Sequence, residues 1–411
     1  MRILHFSDAH IDMANYGRHD PQTGLPVRVM DFLKSLDTIV NTAISEKVDL
    51  VIFAGDAYKD RSPAPTFQRE WGKRIMALSN AKIPTVLLVG NHDSSPALGR
   101  ANSIQEFETL QVPYIHLVAK PGFLSSEDLE IPCQVIAIPW LSRSSFMSIL
   151  DLNGEDNLNV YDVMETRLSA KIQEWIDQAD PELPLVLTAH ASVQGAVFGS
   201  ERTVMLGSDL ILPGSFVKDS RLDYVALGHI HKAQDLNENA HPPVVYSGSI
   251  ERLDFGEAQD EKFFIIAHVN KGATKVEWRK LDQIRPFIDR VVYLESPDDV
   301  TNILIKSLPE HDLLKDAFVR LTIHFPHEWG DLIDEVTLRQ YASEAFEFHI
   351  NLRPQMDPRS RLPENLAMSA LGPLDLLELY LKSNQFSLEA ISELKEMAQG
   401  LINQVNNPDS E

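Results

Sequence analysis

The chain has one cysteine, Cys133, in 411 residues, so no intrachain disulfide can form and a reducing compartment is expected. As the sole thiol, Cys133 reads as a small buried hydrophobe. No stretch approaches the roughly 18 uncharged apolar residues that cross a bilayer, which argues against a membrane span. Residues 1–6 lead straight into Asp8 and His10 instead of a signal-peptide apolar region, so a cytoplasmic protein is expected. There is no G-x-x-x-x-G-K-[ST] phosphate loop, which excludes an ATPase of that kind. Basic charge is scarce: 37 Lys and Arg against 60 Asp and Glu give a formal net charge of −23, which excludes a generally basic surface for phosphate backbones. Repeats and low-complexity tracts are missing too, so repeat architectures drop out.

What is there is length and alternation. At 411 residues with 44% apolar side chains, the chain has the material for two or three globular domains. Over the first two thirds, short apolar runs at 2–6, 50–53, 84–89, 134–138, 185–188 and 224–227 alternate with amphipathic helical patterns over 27–46, 66–80 and 162–178. That alternation predicts an α/β domain with strands buried between layers. From Pro242 the texture changes, and 244–249, 263–269 and 275–280 read as consecutive antiparallel strands closing a second sheet. The first domain is assigned 1–283. Residues 284–353 read as a small α/β cap, with strands at 290–294, 317–325 and 346–352 and helices at 297–308 and 333–345. Ser296 followed by Pro297 suits the start of the first of these helices. The proline- and charge-rich stretch 354–372 reads as a linker. Residues 373–411 hold two amphipathic helices, 373–383 and 387–405, the second carrying Ile391, Leu394, Ala398, Leu401, Ile402 and Val405 on one stripe. Two short helices cannot bury such a stripe alone, so it folds back on the body or docks on a partner.

Five of the apolar runs end in the same chemistry: HFSDAH with Asp8 and His10, IFAGD with Asp56, LLVGNHD with Asn91, His92 and Asp93, VLTAH with His190, and VALGHIH with His229 and His231. Ligands of open α/β sheets gather outside the carboxyl ends of the strands, so these clusters are expected to meet. Two-residue spacing in Asp8-Ala9-His10 and His229-Ile230-His231 puts both side chains of each pair on one face. Gly55, Gly90 and Gly228 come directly before Asp56, Asn91 and His229, where a missing Cβ lets backbone approach an ion closely. Carboxylates, imidazoles and one amide oxygen, without thiolates, suit Mn²⁺, Fe²⁺ or Zn²⁺ better than an all-oxygen Mg²⁺ or Ca²⁺ cage. Asp56 is the natural bridge, because one carboxylate can share its oxygens between two cations. Singly, each motif has a plainer account: a hydrogen-bonded histidine, an aspartate capping a turn, an Asn-His-Asp turn. Five in this order, in a chain with only 14 histidines, make the joint pattern a dinuclear metal site.

On these motifs, roughly the first two thirds of the chain resembles the calcineurin-like metallophosphoesterases. RILHFSDAHID at the start, VALGHIHK ending at Lys232, and VYSGSIER ending at Arg252 with Phe255-Gly256 after it, resemble more closely the SbcD-type DNA repair nucleases. The resemblance implies a four-layer α-β-β-α sandwich with a small cap domain and a C-terminal helical element. It implies that Asp8, His10 and His231 hold one metal, that Asn91, His190 and His229 hold the other, and that Asp56 is shared, with Mn²⁺ the first candidate. His92 is then no ligand but the group that protonates the leaving oxygen or stabilises charge there. Also implied are DNA as substrate, cut 3′→5′ at double-strand ends and endonucleolytically on single strands or hairpins, a coiled-coil ATPase of the SbcC type bound to the C-terminal helices, and a homodimer within a heterotetramer. The charge of −23 is offset in this reading by about four positive charges at the metal centre and by the partner's share of the DNA surface. One departure stands out: nucleases of this kind commonly place His or Asp three residues after the bridging Asp, where this chain has Lys59, with Asp60 next. The alternative is a metallophosphoesterase for a small phosphodiester or a phosphoprotein, which would need neither cap nor helical tail.

Overall fold

A computed structural model describes residues 1–14, 18–94, 100–141, 160–199, 211–355, 372–383 and 386–406. The short apolar runs become strands of two six-stranded sheets. In the first, β1 (Arg2–Phe6), β2 (Leu50–Phe53), β3 (Thr85–Leu88) and β4 (Ile115–Val118) run parallel. The hairpin β13 (Phe263–Asn270) and β14 (Ala273–Lys280) extends it antiparallel beyond β1, giving the order β14-β13-β1-β2-β3-β4. The second sheet also has six strands. Its centre is parallel: β6 (Gln134–Ile138), β7 (Leu185–His190), β10 (Tyr224–Gly228) and β12 (Val244–Tyr246). Antiparallel edges come from β5 (Gly122–Leu124) and β11 (Gln234–Asp235), giving the order β11-β12-β10-β7-β6-β5, while β8 (Ser192–Val193) and β9 (Ile211–Leu212) pair parallel in a two-stranded sheet. The segments after Pro242 therefore do not close a sheet of their own, as the sequence reading expected. β12 lies parallel to β10, whereas β13 returns to pair with β1.

Strand period two sorts the side chains into separate cores. Ile3, Leu50, Ile52 and Val86 of the first sheet meet Val135, Val186, Tyr224 and Ala226 of the second in one buried cluster. Their chain neighbours Leu4, Phe6, Val51 and Phe53 pack instead with Phe32, Leu36 and Trp71 of the helices Val27–Ser45 and Pro65–Asn80. Ile136, Leu187 and Leu227 do the same with Leu168 and Ile172 of the helix Val160–Gln178. A polar link crosses between the sheets: His5 Nδ1 lies 2.9 Å from Tyr224 Oη and its Nε2 lies 3.2 Å from the Leu227 carbonyl. A carbonyl only accepts, so Nε2 carries the proton and Nδ1 accepts from the tyrosine.

The chain divides into two compact units, one of Met1–Asp289, His311–Arg320 and Glu344–Phe348, the other of Arg290–Glu310, Leu321–Ser343 and His349–Glu411. β15 (Phe287–Tyr293), β16 (Phe318–Pro326) and β17 (Glu347–Gln355) form a three-stranded sheet. The helix expected from Pro297 begins only at Val300, because Asp299 takes a left-handed conformation (φ 54°) and the Ser296 hydroxyl accepts from Asp298 N at 3.1 Å in a turn ahead of it. The next helix is shorter than expected, Glu335–Tyr341, with the Asp334 carboxylate accepting from Thr337 N at 3.1 Å as its cap. Most of the expected linker 354–372 lies outside the described residues. The terminal helices Pro373–Ser383 and Leu388–Asn406 form with Leu381 and Ile391 buried, while Tyr380, Leu388 and Met397 are exposed. Among the described residues no helix is long and apolar enough to cross a membrane.

Candidate metal centre

The parallel register explains why distant motifs meet. Phe6 stands beside Phe53, Phe53 beside Leu87, and Gly228 beside His190, so the carboxyl ends of β1, β2 and β3 come out level in one sheet and those of β7 and β10 in the other. Just past those ends the backbone turns sharply: Asp8, His10, Asp56 and His229 all have positive φ, at 50°, 40°, 65° and 97°. Such conformations cost about 1–3 kcal/mol each for non-glycine residues and persist only where the surroundings enforce them. Here the enforcement is a backbone lacing between two loops, with Asp8 N bonded to Gly55 O at 2.9 Å, Ala9 N to Asp56 O at 2.8 Å and Ile11 N to Ala57 O at 3.1 Å.

All seven expected ligands come together. His10 Nε2 lies 3.3 Å from His231 Nε2 and 3.9 Å from Asp56 Oδ2. His190 Nε2 lies 3.3 Å from Asp56 Oδ2 and 2.8 Å from Asn91 Oδ1, which is 3.0 Å from His229 Nδ1. Asp8 has ligand atoms within 4.8 Å of those of His10 and His231, and also of those of Asp56 and His190. The ring protons are placed by partners behind the imidazoles: His10 Nδ1 on the Tyr58 carbonyl (3.2 Å), His190 Nδ1 on the Ala54 carbonyl (2.7 Å) and His231 Nδ1 on Glu257 (3.0 Å). In the neutral form of each ring Nε2 is thereby the acceptor nitrogen, and it faces other acceptor atoms.

That arrangement fits metal ions. Two lone-pair nitrogens 3.3 Å apart repel each other, and a cation between them turns the repulsion into two bonds. Asp8 and Asp56 are buried, and among the described residues no Lys or Arg nitrogen lies within 4.0 Å of either. Buried charge without a counter-ion is expensive, so a cationic occupant is what the carboxylates lack. Electrostatics agree. Burial pulls the His10 imidazole well below its ordinary pKa. Burial pulls on His190 too, but the Asp56 and Asp8 carboxylates more than reverse it and raise its pKa to about 9. In the metal-free protein a proton on His190 thus partly fills the demand for positive charge.

The expectation that glycines give room to an ion needs correcting. What Gly55 and Gly90 make room for is protein: a Cβ on Gly90 would stand 2.1 Å from Asp56 Oδ1, and one on Gly55 (φ 101°) would stand 2.3 Å from His190 Nδ1. His92 lies at the rim. Its backbone N donates to Asp56 Oδ1 (2.8 Å), and its Nδ1 bonds the Lys59 carbonyl (2.9 Å). Beside it opens a cavity of about 450 Å³ lined by Asp12, Lys59, Asp60 and Arg61. Lys59 thus meets His92 through its main chain.

Several contributors have no role assigned from the sequence. The buried Asp93 carboxylate accepts from Asp56 N (2.9 Å), Ala57 N (3.1 Å), Gly90 N (3.0 Å) and Ser103 Oγ (3.0 Å), fastening the β2 loop to the β3 loop. Asp93 was visible as the last letter of GNHD, but with no role. Glu257, behind His231, is itself gripped by Lys262 Nζ at 2.7 Å. Burial would raise the Glu257 carboxyl, and the Lys262 ammonium with His231 more than reverses this, holding it well below the ordinary range. Trp140 sets its ring 4.9 Å from that of His229.

Comparison with known proteins points the same way. Over 283 residues the chain is 28% identical to the SbcD component of the nuclease SbcCD of Escherichia coli K12, covering 66% of each protein. It is 26% identical over 290 residues to the protein of that name from Bacillus subtilis, covering 68% of this chain and 69% of the relative. With the Rhodobacter capsulatus protein of that name the identity is 28% over 266 residues, 61% of this chain and 62% of the relative. The match therefore spans just under two thirds of the Escherichia coli relative. The model of the calcineurin-like phosphoesterases matches residues 1–233, more than half of the 411, and the chain belongs to that family.

Proposed function

We propose that this chain is the SbcD-like nuclease subunit of an ATP-regulated, cytoplasmic DNA repair complex, hydrolysing DNA phosphodiesters at a two-metal centre. In this reading Asp8, His10 and His231 hold one ion, Asn91, His190 and His229 hold the other, and Asp56 is shared. The observation that carries it is the convergence of imidazoles, each with its other nitrogen tied down, onto two buried carboxylates that have no Lys or Arg partner among the described residues. The mixed nitrogen and oxygen donor set favours Mn²⁺, with Fe²⁺ or Zn²⁺ as alternatives. When bound, the cations supply a water of lowered pKa and neutralise charge on the phosphoryl oxygens.

The chain's own residues orient and exchange protons. Asp56 is fixed by the His92 backbone N–H, so its carboxylate cannot swing out of the site. His92, with its Nδ1–H donated to the Lys59 carbonyl, presents Nε2 to the substrate; as the imidazolium, protonated on both nitrogens, it gives the Nε2 proton to the departing 3′ oxygen and is left neutral with its proton on Nδ1. Residues 1–283 make up the nuclease domain, 284–353 the cap, 354–372 the linker and 373–411 the docking element for an SbcC-type coiled-coil ATPase. Exposed Tyr380, Leu388 and Met397 support that last assignment. Assembly is a homodimer within a heterotetramer, cutting 3′→5′ from double-strand ends and endonucleolytically on single strands or hairpins.

The test is turnover of the purified full chain with Mn²⁺ on linear duplex, on a hairpin and on a chromogenic phosphodiester, with a chelator control. The expected result is metal-dependent cleavage of all three. Hydrolysis of the small ester with DNA left intact, even with the ATPase partner added, would replace the nuclease by an enzyme for a small phosphodiester, a reading the charge of −23 favours.

A further inference from the structure

We infer that Asp12 is a positioning residue for the reaction, acting on His92 through the main chain of Lys59 and Asp60. The half-buried Asp12 carboxylate accepts two consecutive backbone donors, Lys59 N on Oδ1 and Asp60 N on Oδ2 (2.9 Å). The peptide carbonyl of Lys59 is the acceptor for His92 Nδ1 at 2.9 Å. One carboxylate therefore holds both amide groups that flank this carbonyl. A single donor would let the peptide rock about its axis, whereas two consecutive ones fix its plane. A carbonyl can only accept, so its fixed direction keeps the proton on Nδ1 and aims Nε2.

The rest of the loop makes this more than a generic turn. Asp8, Ala9, His10 and Ile11 are already bonded through their backbone N–H groups to Gly55, Asp56 and Ala57. The lacing stops there, and Asp12 continues it with a side chain over Lys59 and Asp60. Without Asp12, Asp56 keeps its own anchor on Asp93, while the Tyr58 carbonyl, in the same peptide as the Lys59 N–H, keeps only its bond to His10 Nδ1. The Lys59–Asp60 peptide that faces His92 loses its side-chain anchor, and the Tyr58–Lys59 peptide loses one of two. Loss of Asp12 should consequently harm proton delivery first, and saturating Mn²⁺ offsets any loosening of His10.

This rests on the reading that His92 protonates the leaving oxygen, and the test separates the two. Wild type, His92→Ala, Asp12→Ala and the double variant are compared at saturating Mn²⁺ on a p-nitrophenyl nucleotide ester, whose leaving group needs no proton, and on a dinucleotide, whose alkoxide does. Metal content is measured for each, and thermal melting confirms folding. Asp12→Ala is expected to lower kcat on the dinucleotide on the order of 10- to 100-fold with little change on the activated ester. The double variant should be no slower than His92→Ala alone. An independent readout is the ¹⁵N spectrum of the metal-free full chain labelled at histidine. His92, assigned by its absence in His92→Ala, should carry its proton on Nδ1 in wild type and populate both tautomers in Asp12→Ala. If His92→Ala is selective for the dinucleotide and Asp12→Ala slows both substrates alike or neither, the Asp12 inference fails while the acid stands. If His92→Ala itself shows no selectivity, the acid assignment fails first. An unchanged His92 tautomer in Asp12→Ala overturns the inference whatever the rates.

Discussion

His5 makes the stability of the fold depend on pH in a way that can be worked from its surroundings. It is fully buried between the sheets, accepting from Tyr224 Oη and donating to the Leu227 carbonyl, and burial lowers its pKa from 6.5 to about 3. The unfolded chain binds a proton on this ring more readily than the folded one everywhere between those values. Stability is therefore fully present above pH 6.5 and is lost as pH falls, by about 1.4 kcal/mol per unit. Between pH 7.5 and 5.5 the two-state expression gives a loss of about 1.4 kcal/mol from this residue alone. The window stays above the sequence pI of about 5.0, so the chain remains soluble through its negative charge. The reference is His5→Leu, which has no such titration but leaves the Tyr224 hydroxyl unpaired, at a cost of roughly 1–3 kcal/mol at pH 7.5. Urea unfolding followed by tryptophan fluorescence at both pH values yields the gap between the two proteins, in which carboxylate titrations common to both cancel. That gap should narrow by about 1.4 kcal/mol at pH 5.5. A gap that stays constant would mean that the folded protein accepts a proton at His5, and the neutral cross-sheet link would be wrong.

Gly90→Ala puts a methyl 2.1 Å from Asp56 Oδ1 and 2.5 Å from Asp56 N, so the shared carboxylate must move; turnover should fall on the order of 100-fold while far-ultraviolet circular dichroism is unchanged, and wild-type rates would refute the contact. Glu257→Gln weakens the grip on His231 Nδ1, and Mn²⁺ affinity measured by calorimetry should drop roughly 10- to 100-fold. An equal affinity would show that His231 is oriented by something else. Lys262→Met leaves Glu257 charged and buried without its main partner, a loss of about 3–5 kcal/mol visible as a large drop in melting temperature. The Cys133 thiol is buried and its pKa is pushed up to about 12 by burial, so iodoacetamide at pH 8 should leave the native chain unlabelled and modify it fully in urea.

The order of site residues and the strands that carry them were legible because both signals are local. An apolar run that stops at Asp, Asn or His after a glycine reads directly as a buried strand ending at a site, and β1, β2 and β6 fall where the apolar runs placed them. Pairing is not local. Nothing near Phe263 says that its strand returns to lie against β1, with Arg2 opposite His268, and the antiparallel texture of that region pointed to the wrong sheet.

Side-chain chemistry is written residue by residue, so the chain alone names seven side chains of metal-binding type at the ends of its apolar runs. Which nitrogen of each imidazole is turned toward the site is settled by the fold, since that depends on what stands behind the ring: the carbonyls of Ala54, Tyr58 and Lys59, and a glutamate at position 257. Every residue has a carbonyl, so no spelling marks the one that will aim a histidine. The folding of distant loops against one another makes that choice.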